Sequence, residues 1–133
     1  MKRLLVITVV LLVLSSACSY TPTLPSPFTS PTTQVLDGTV YPTGTTTMWL
    51  TTTVAGTLRV TLTSAEPGPV TLGLGLGALS GGRCETQMRV DAQPGPTPQI
   101  TTAADAGTYC VEVSDLGSVT ESGVNYSISV EFE

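Results

Sequence analysis

From residue 35 onward the chain alternates apolar and polar side chains with a period of two, in short runs broken by Gly and Pro about every ten residues. Successive side chains of a strand point to opposite faces, so this pattern predicts antiparallel strands with one face buried, folded as a β-sandwich or barrel. The predicted strands cover residues 35–41, 46–53, 56–64, 70–76, 84–90, 99–102, 107–114 and 125–132. Beyond the first seventeen residues no stretch has a helical period.

Three runs alternate clearly enough to assign faces. Leu58, Val60 and Leu62 are expected inside, with Thr57, Arg59, Thr61 and Thr63 wet. Tyr126, Ile128, Val130 and Phe132 are set inward against Asn125, Ser127, Ser129 and Glu131. Tyr109, Val111 and Val113 face the core, leaving Thr108, Cys110, Glu112 and Ser114 on the outer side. In the run Leu72-Gly73-Leu74-Gly75-Leu76-Gly77 every leucine shares one face and every glycine the other. No helix follows to receive a phosphate and the glycine spacing is wrong for a dinucleotide loop, so a strand with its bare face against another backbone or a large ring is expected.

The N-terminal end follows a different pattern. Lys2 and Arg3 precede an uncharged run over residues 4–14, then come Ser15, Ser16, Ala17 and Cys18. The run is about half the ~20 residues of a spanning helix and its positive flank precedes it, which marks a signal peptide over residues 1–17. Leu14-Ser15-Ser16-Ala17-Cys18 resembles the lipobox of bacterial lipoproteins, with Ser15 where the commonest form has Leu. That resemblance implies cleavage before Cys18, a diacylglycerol on its thiol and usually a further acyl chain such as palmitate on the new amino group, enough to hold a protein to a membrane. Ser19 and Tyr20 follow where an aspartate would imply inner-membrane retention, so the outer membrane is expected where the host has one.

Residues 19–34 read SYTPTLPSPFTSPTTQ. Prolines at this density favour extended polyproline II backbone, and residues 18–34 are expected to be a tether between the lipid and a domain over residues 35–133. Loss of residues 1–17 removes two of five basic residues and none of ten acidic ones, moving the net charge from −5 to −7. An anionic surface of that kind does not attract nucleic acid or anionic headgroups.

Ala106-Gly107-Thr108-Tyr109-Cys110-Val111-Glu112-Val113, and then Tyr126-Ser127-Ile128-Ser129-Val130, resemble the closing hairpin of bacterial pre-peptidase C-terminal (PPC) domains. Asp37-Gly38-Thr39-Val40, the aromatic at Trp49 and Gly56-Thr57-Leu58-Arg59-Val60 fit the family's upstream order. The resemblance implies a secreted, jelly-roll-like sandwich of about eight or nine strands, in a group whose collagenase-linked relatives bind collagen, some with calcium. Asp105 to Cys110 also resemble the tyrosine-corner strand of immunoglobulin domains, except that Cys110 adjoins Tyr109 and faces the opposite way. The immunoglobulin reading ranks second.

Cys84 and Cys110 form an even pair in an oxidising compartment, where a disulfide closing a loop of this size stabilises by about 3 kcal/mol. The sequence has no histidine, which removes Ser-His-Asp and Cys-His chemistry and the usual metal sites. No paired carboxylates fall on a core face, so no enzyme activity is expected and no catalytic residue is assigned. No cofactor or metal site is assigned either. Calcium stays open, since Asp37, Asp91, Asp105 and Asp115 could lie in loops and secreted β-sandwiches often bind it, but no D-x-D-x-D-G loop supports it, and Asp105 reads more readily as a turn residue bonding its own backbone.

The expected function is that of a membrane-anchored envelope lipoprotein whose sandwich binds or scaffolds an extracytoplasmic protein or polysaccharide through a Thr-rich face. The alternative is a structural subunit of an envelope or secretion assembly with no soluble ligand. Trp49 decides between them: an exposed ring favours ligand contact and a buried one the structural role. By the family's pattern Trp49 is expected inside, with Met48 and Leu50 left for lateral contacts; all three are candidate contact residues.

Overall fold

The computed structural model describes residues 32–133. The expected signal peptide, the expected lipidation site Cys18 and residues 19–31 of the expected tether lie outside the described residues. Eight strands follow in chain order: β1 (Thr32–Val40), β2 (Thr45–Thr52), β3 (Gly56–Glu66), β4 (Leu72–Ser80), β5 (Arg83–Ala92), β6 (Ile100–Ala104), β7 (Gly107–Asp115) and β8 (Val124–Phe132). Each overlaps one predicted run, with β4 beginning two residues later and ending four residues later than expected, and among the described residues there is no helix. β1 starts earlier than expected, since Thr32, Thr33 and Gln34 pair with Phe132, Glu131 and Val130. No proline interrupts this stretch and threonine fits a pleated surface, so the ladder runs into what composition assigns to the tether.

All pairings are antiparallel, in two four-stranded sheets: sheet A in the order β1-β8-β3-β6 and sheet B in the order β2-β7-β4-β5. Only β4 and β5 form a hairpin within one sheet; every other connection crosses between sheets. β1 and β8 are paired and each sheet draws on strands from throughout the described residues, which is a jelly-roll sandwich and not an immunoglobulin topology. Tyr109 nevertheless donates its hydroxyl to the Asp105 carbonyl at 2.8 Å, four residues upstream, as a tyrosine corner does.

The core forms where the inner faces meet. Sheet A supplies Leu58, Val60, Leu62 and Ile128, and sheet B supplies Leu72, Val111 and Val113, all with no exposed surface. Burying a side chain of that size stabilises by roughly 1.5–3 kcal/mol. The ladder slips at Thr63 of β3, so that Ala65 turns inward in place of Ser64. Thr61, expected to be wet, is buried: β3 is an interior strand, Ser129 stands opposite, and Gln99 reaches across to accept the Leu62 N–H at 2.7 Å. Cys110 and Ser114, expected on the outer side, are buried as well.

Among the described residues Tyr126 is the one fully buried ring, with Tyr109 and Phe132 partly buried against the core, and it stands opposite Gly38 of the edge strand β1. A Cβ at Gly38 would lie 2.6 Å from the ring Cζ, so only glycine lets the ring lie over the strand. Burial pushes the Tyr126 phenol above its ordinary pKa, with the Thr46 hydroxyl pulling the other way.

Candidate functional site

β2 is an edge strand of sheet B, and its alternation runs opposite to expectation. Trp49 is 44% exposed on the outer face, whereas Leu50 is buried and Met48 packs against the core. The strand has apolar groups on both faces, and the pair Met48 and Leu50 takes the inside. Tyr126 then directs its hydroxyl at the Met48 sulfur, 3.9 Å away. Of the three candidate contact residues only Trp49 is therefore available on the outer face.

Around the indole the face is rich in hydroxyls. Thr45, Thr47 and Thr51 share the exposed side of β2, and the Thr51 and Thr108 hydroxyls lie 3.3 Å apart across to β7. Directly opposite Trp49 in the ladder is Cys110, which has no exposed surface and is disulfide-bonded to Cys84.

That bond explains the glycine run. Cys110 is on β7 and Cys84 on β5, with β4 between them, yet their Cα atoms are 5.8 Å apart. Neighbouring strands lie about 4.8 Å apart, so two strands separated by a third are normally nearly twice that. β5 therefore curls over the outer face of β4. It does so where the β4–β5 ladder slips beside Gly77, and a Cβ on Gly77 would lie 2.6 Å from the Glu85 carbonyl carbon. The bare side of β4 thus lies against another backbone at Gly77, and against the side chains of Thr86, Glu112, Ser114 and Leu116 at Gly73 and Gly75. Thr86 donates to Glu112, which also takes Arg89 at 3.1 Å. Leu79, 46% exposed, stands opposite Cys84 in the β4–β5 ladder.

The acidic residues considered for calcium are dispersed. Asp37 lies in β1 and Asp91 in β5, and among the described residues no three His, Cys, Asp or Glu side chains come together as a metal site would need. Asp105 works through its main chain, its carbonyl accepting the Thr52 and Tyr109 hydroxyls, where a carboxylate turn bond was expected. Asp115 is a structural clamp. Its Oδ2 accepts the Thr43 N–H at 2.9 Å and its Oδ1 accepts those of Gly117, Ser118 and Val119. The Thr43 bond foremost, aided by the other three and opposed by partial desolvation, holds this carboxyl below the usual aspartate value.

Two depressions went unforeseen. One, about 420 Å³, lies on the outer face of sheet A among Asp37, Ser64, Glu66, Asn125 and Ser127. The other, about 230 Å³, opens between the sheets among Leu50, Val54, Leu58, Val130 and Phe132. Neither leaves a local motif, because each is assembled from strands distant in the chain.

No family model matches the chain, so the PPC resemblance has no such match behind it. No curated protein matches it either. Among solved structures, the crystal structure of Aeromonas hydrophila PliG, a periplasmic lysozyme inhibitor of g-type lysozyme, is similar at 19% identity and a TM-score of 0.49, over 77% of this chain and 86% of that one.

Proposed function

We propose that the chain is a lipid-anchored, non-enzymatic lipoprotein of the bacterial envelope, whose sandwich binds an extracytoplasmic polysaccharide through the outer face of sheet B. The exposed indole of Trp49 carries this reading. The ring lies on the outer face rather than in the core, where it offers a flat apolar surface with a polar N–H edge to a ligand. The flanking hydroxyls of Thr47, Thr51 and Thr108 suit a ligand rich in hydroxyl groups, and a net charge of −5 for the whole chain disfavours nucleic acid. The lipobox-like stretch ending at Cys18 supports the anchor, and the Cys84–Cys110 disulfide agrees with an oxidising envelope compartment. A purely structural subunit would be expected to bury the ring, so exposure favours the binding role.

The test is retention of the protein on isolated envelope polysaccharide, with Trp49→Ala alongside. Truncating a central aromatic contact weakens binding by at least about tenfold, while the thermal midpoint stays near the parent's. Equal retention of both proteins would overturn the Trp49 assignment, and Cys18→Ala remaining in the membrane fraction would overturn the anchor.

A further inference from the structure

Trp49 is the one tryptophan of the sequence, and the strand that carries it has no charged residue from Thr45 to Thr52. Opposite Thr51, Trp49 and Thr47 on β7 stand Thr108, Cys110 and Glu112. Cys110 is closed in the disulfide, and the Glu112 carboxylate already accepts the Thr86 hydroxyl and the Arg89 guanidinium, with 15% of its side chain exposed. One strand further, β4 turns Gly75 and Gly77 to the same face. At the far edge β5 balances Arg83 and Arg89 against Glu85 and Asp91.

The carboxylates near the two ends of β2 are removed from the ring as well. Asp115 is taken up by four main-chain N–H groups. The main chain of Asp105 is held by Thr52, three residues along from Trp49. Three residues of strand span about 10 Å, more than the Debye length of about 8 Å in physiological salt. Beside the indole stand the neutral hydroxyls of Thr47, Thr51 and Thr108, each able to donate and to accept.

We propose that the polysaccharide bound at Trp49 is uncharged and built of pyranoses with equatorial substituents. This rests on the binding role of Trp49 and adds the class of ligand. Such a pyranose offers the indole a flat face of C–H bonds and offers the threonines a rim of hydroxyls. A ligand carboxylate, sulfate or phosphate would approach a chain of net charge −5 and lose water at the ring with no unpaired cation facing it among the described residues. A ligand amine would find no unpaired carboxylate there. Selectivity thus comes from the charge that this face lacks.

Because the sequence has one tryptophan, its emission reports on this site alone. The test is a titration of the full chain carrying Cys18→Ala with three soluble polymers that share one β-linked, all-equatorial backbone: uncharged hydroxyethyl cellulose, carboxymethyl cellulose with its carboxylates, and glycol chitosan with its amines. Hydroxyethyl cellulose should shift the emission to the blue, with an apparent Kd constant to about twofold between about 50 and 500 mM salt. Both charged polymers should bind at least about tenfold more weakly. Glycol chitosan is the stringent arm, since an indole face attracts cations by itself. Thr51→Asp sets a carboxylate beside the ring and should strengthen glycol chitosan binding about two- to fivefold, in a way that fades with salt. Preference of the parent for either charged polymer, or binding of hydroxyethyl cellulose that fades with salt, would overturn the inference and leave the binding role of Trp49 standing. Emission unmoved by all three polymers would overturn it too, and retention on envelope polysaccharide then tells whether the binding role survives.

Discussion

Sheet A holds its shape by regular alternation: the inward side chains of β3 and β8 interlock along most of two interior strands, and the outer face carries little beyond Thr, Ser and charge. Sheet B has equally regular inner positions on β4 and β7, but its outer face is built from glycines, a curled strand and a covalent bond. The first sheet is stabilised by what fills the core and the second also by a clamp outside it. The exposed indole sits beside that clamp, on the sheet with the additional staple.

The largest effect should come from the shared core. Leu58→Ala removes a side chain with no exposed surface and should cost about 3–5 kcal/mol by denaturant unfolding. A loss below about 1 kcal/mol would mean that the sheets do not close on β3.

Next comes the clamp. Replacing Cys84 and Cys110 together by serine should cost about 3 kcal/mol, and amide exchange should quicken in β5 well before β3. Uniform quickening through both sheets would erase the distinction between them.

A smaller effect tests the glycine face. Gly77→Ala forces a methyl group against the Glu85 and Thr86 backbone and should cost about 1–3 kcal/mol. Combined with loss of the disulfide the two costs should fall short of additive, because both act on the same curl of β5.

The smallest effect concerns Asp115, which ties the β1–β2 turn to the end of β7 through the Thr43 N–H. Its folded-state pKa is depressed below 3.8, so the unfolded chain takes up its proton first as pH falls. The contribution is present above the ordinary value and is lost below it, on passage through the depressed one. The thermal midpoint should fall more steeply below pH ~4 for the parent than for Asp115→Asn. Parallel pH profiles would show that this carboxylate is not the acid-sensitive tie.

Much of the fold was legible because strict alternation, as in Leu58-Arg59-Val60-Thr61-Leu62, leaves one reading of the faces. β2 was not legible in that way. Met48-Trp49-Leu50 places apolar groups on both sides, and alternation separates two sets without saying which goes inside; contact with Tyr126, distant in the chain, decides it. The cysteine pair was readable from number and compartment. Its path over Gly77 was not, since that depends on a ladder slip between β4 and β5 that no local residue announces. Thr32 to Gln34 look like tether by composition and become strand only because β8 lies beside them.

The pairing of first and last strands also sets how the molecule bears load. Thr32 stands opposite Phe132, so whatever tugs on the chain before residue 32 pulls at one end of a ladder that runs on to Val40 and Val124. Tension along the strand stresses all its rungs together, whereas tension across it opens them one after another. The angle at which the chain leaves Thr32 thus decides whether the domain resists pulling as a bolt or yields as a zip.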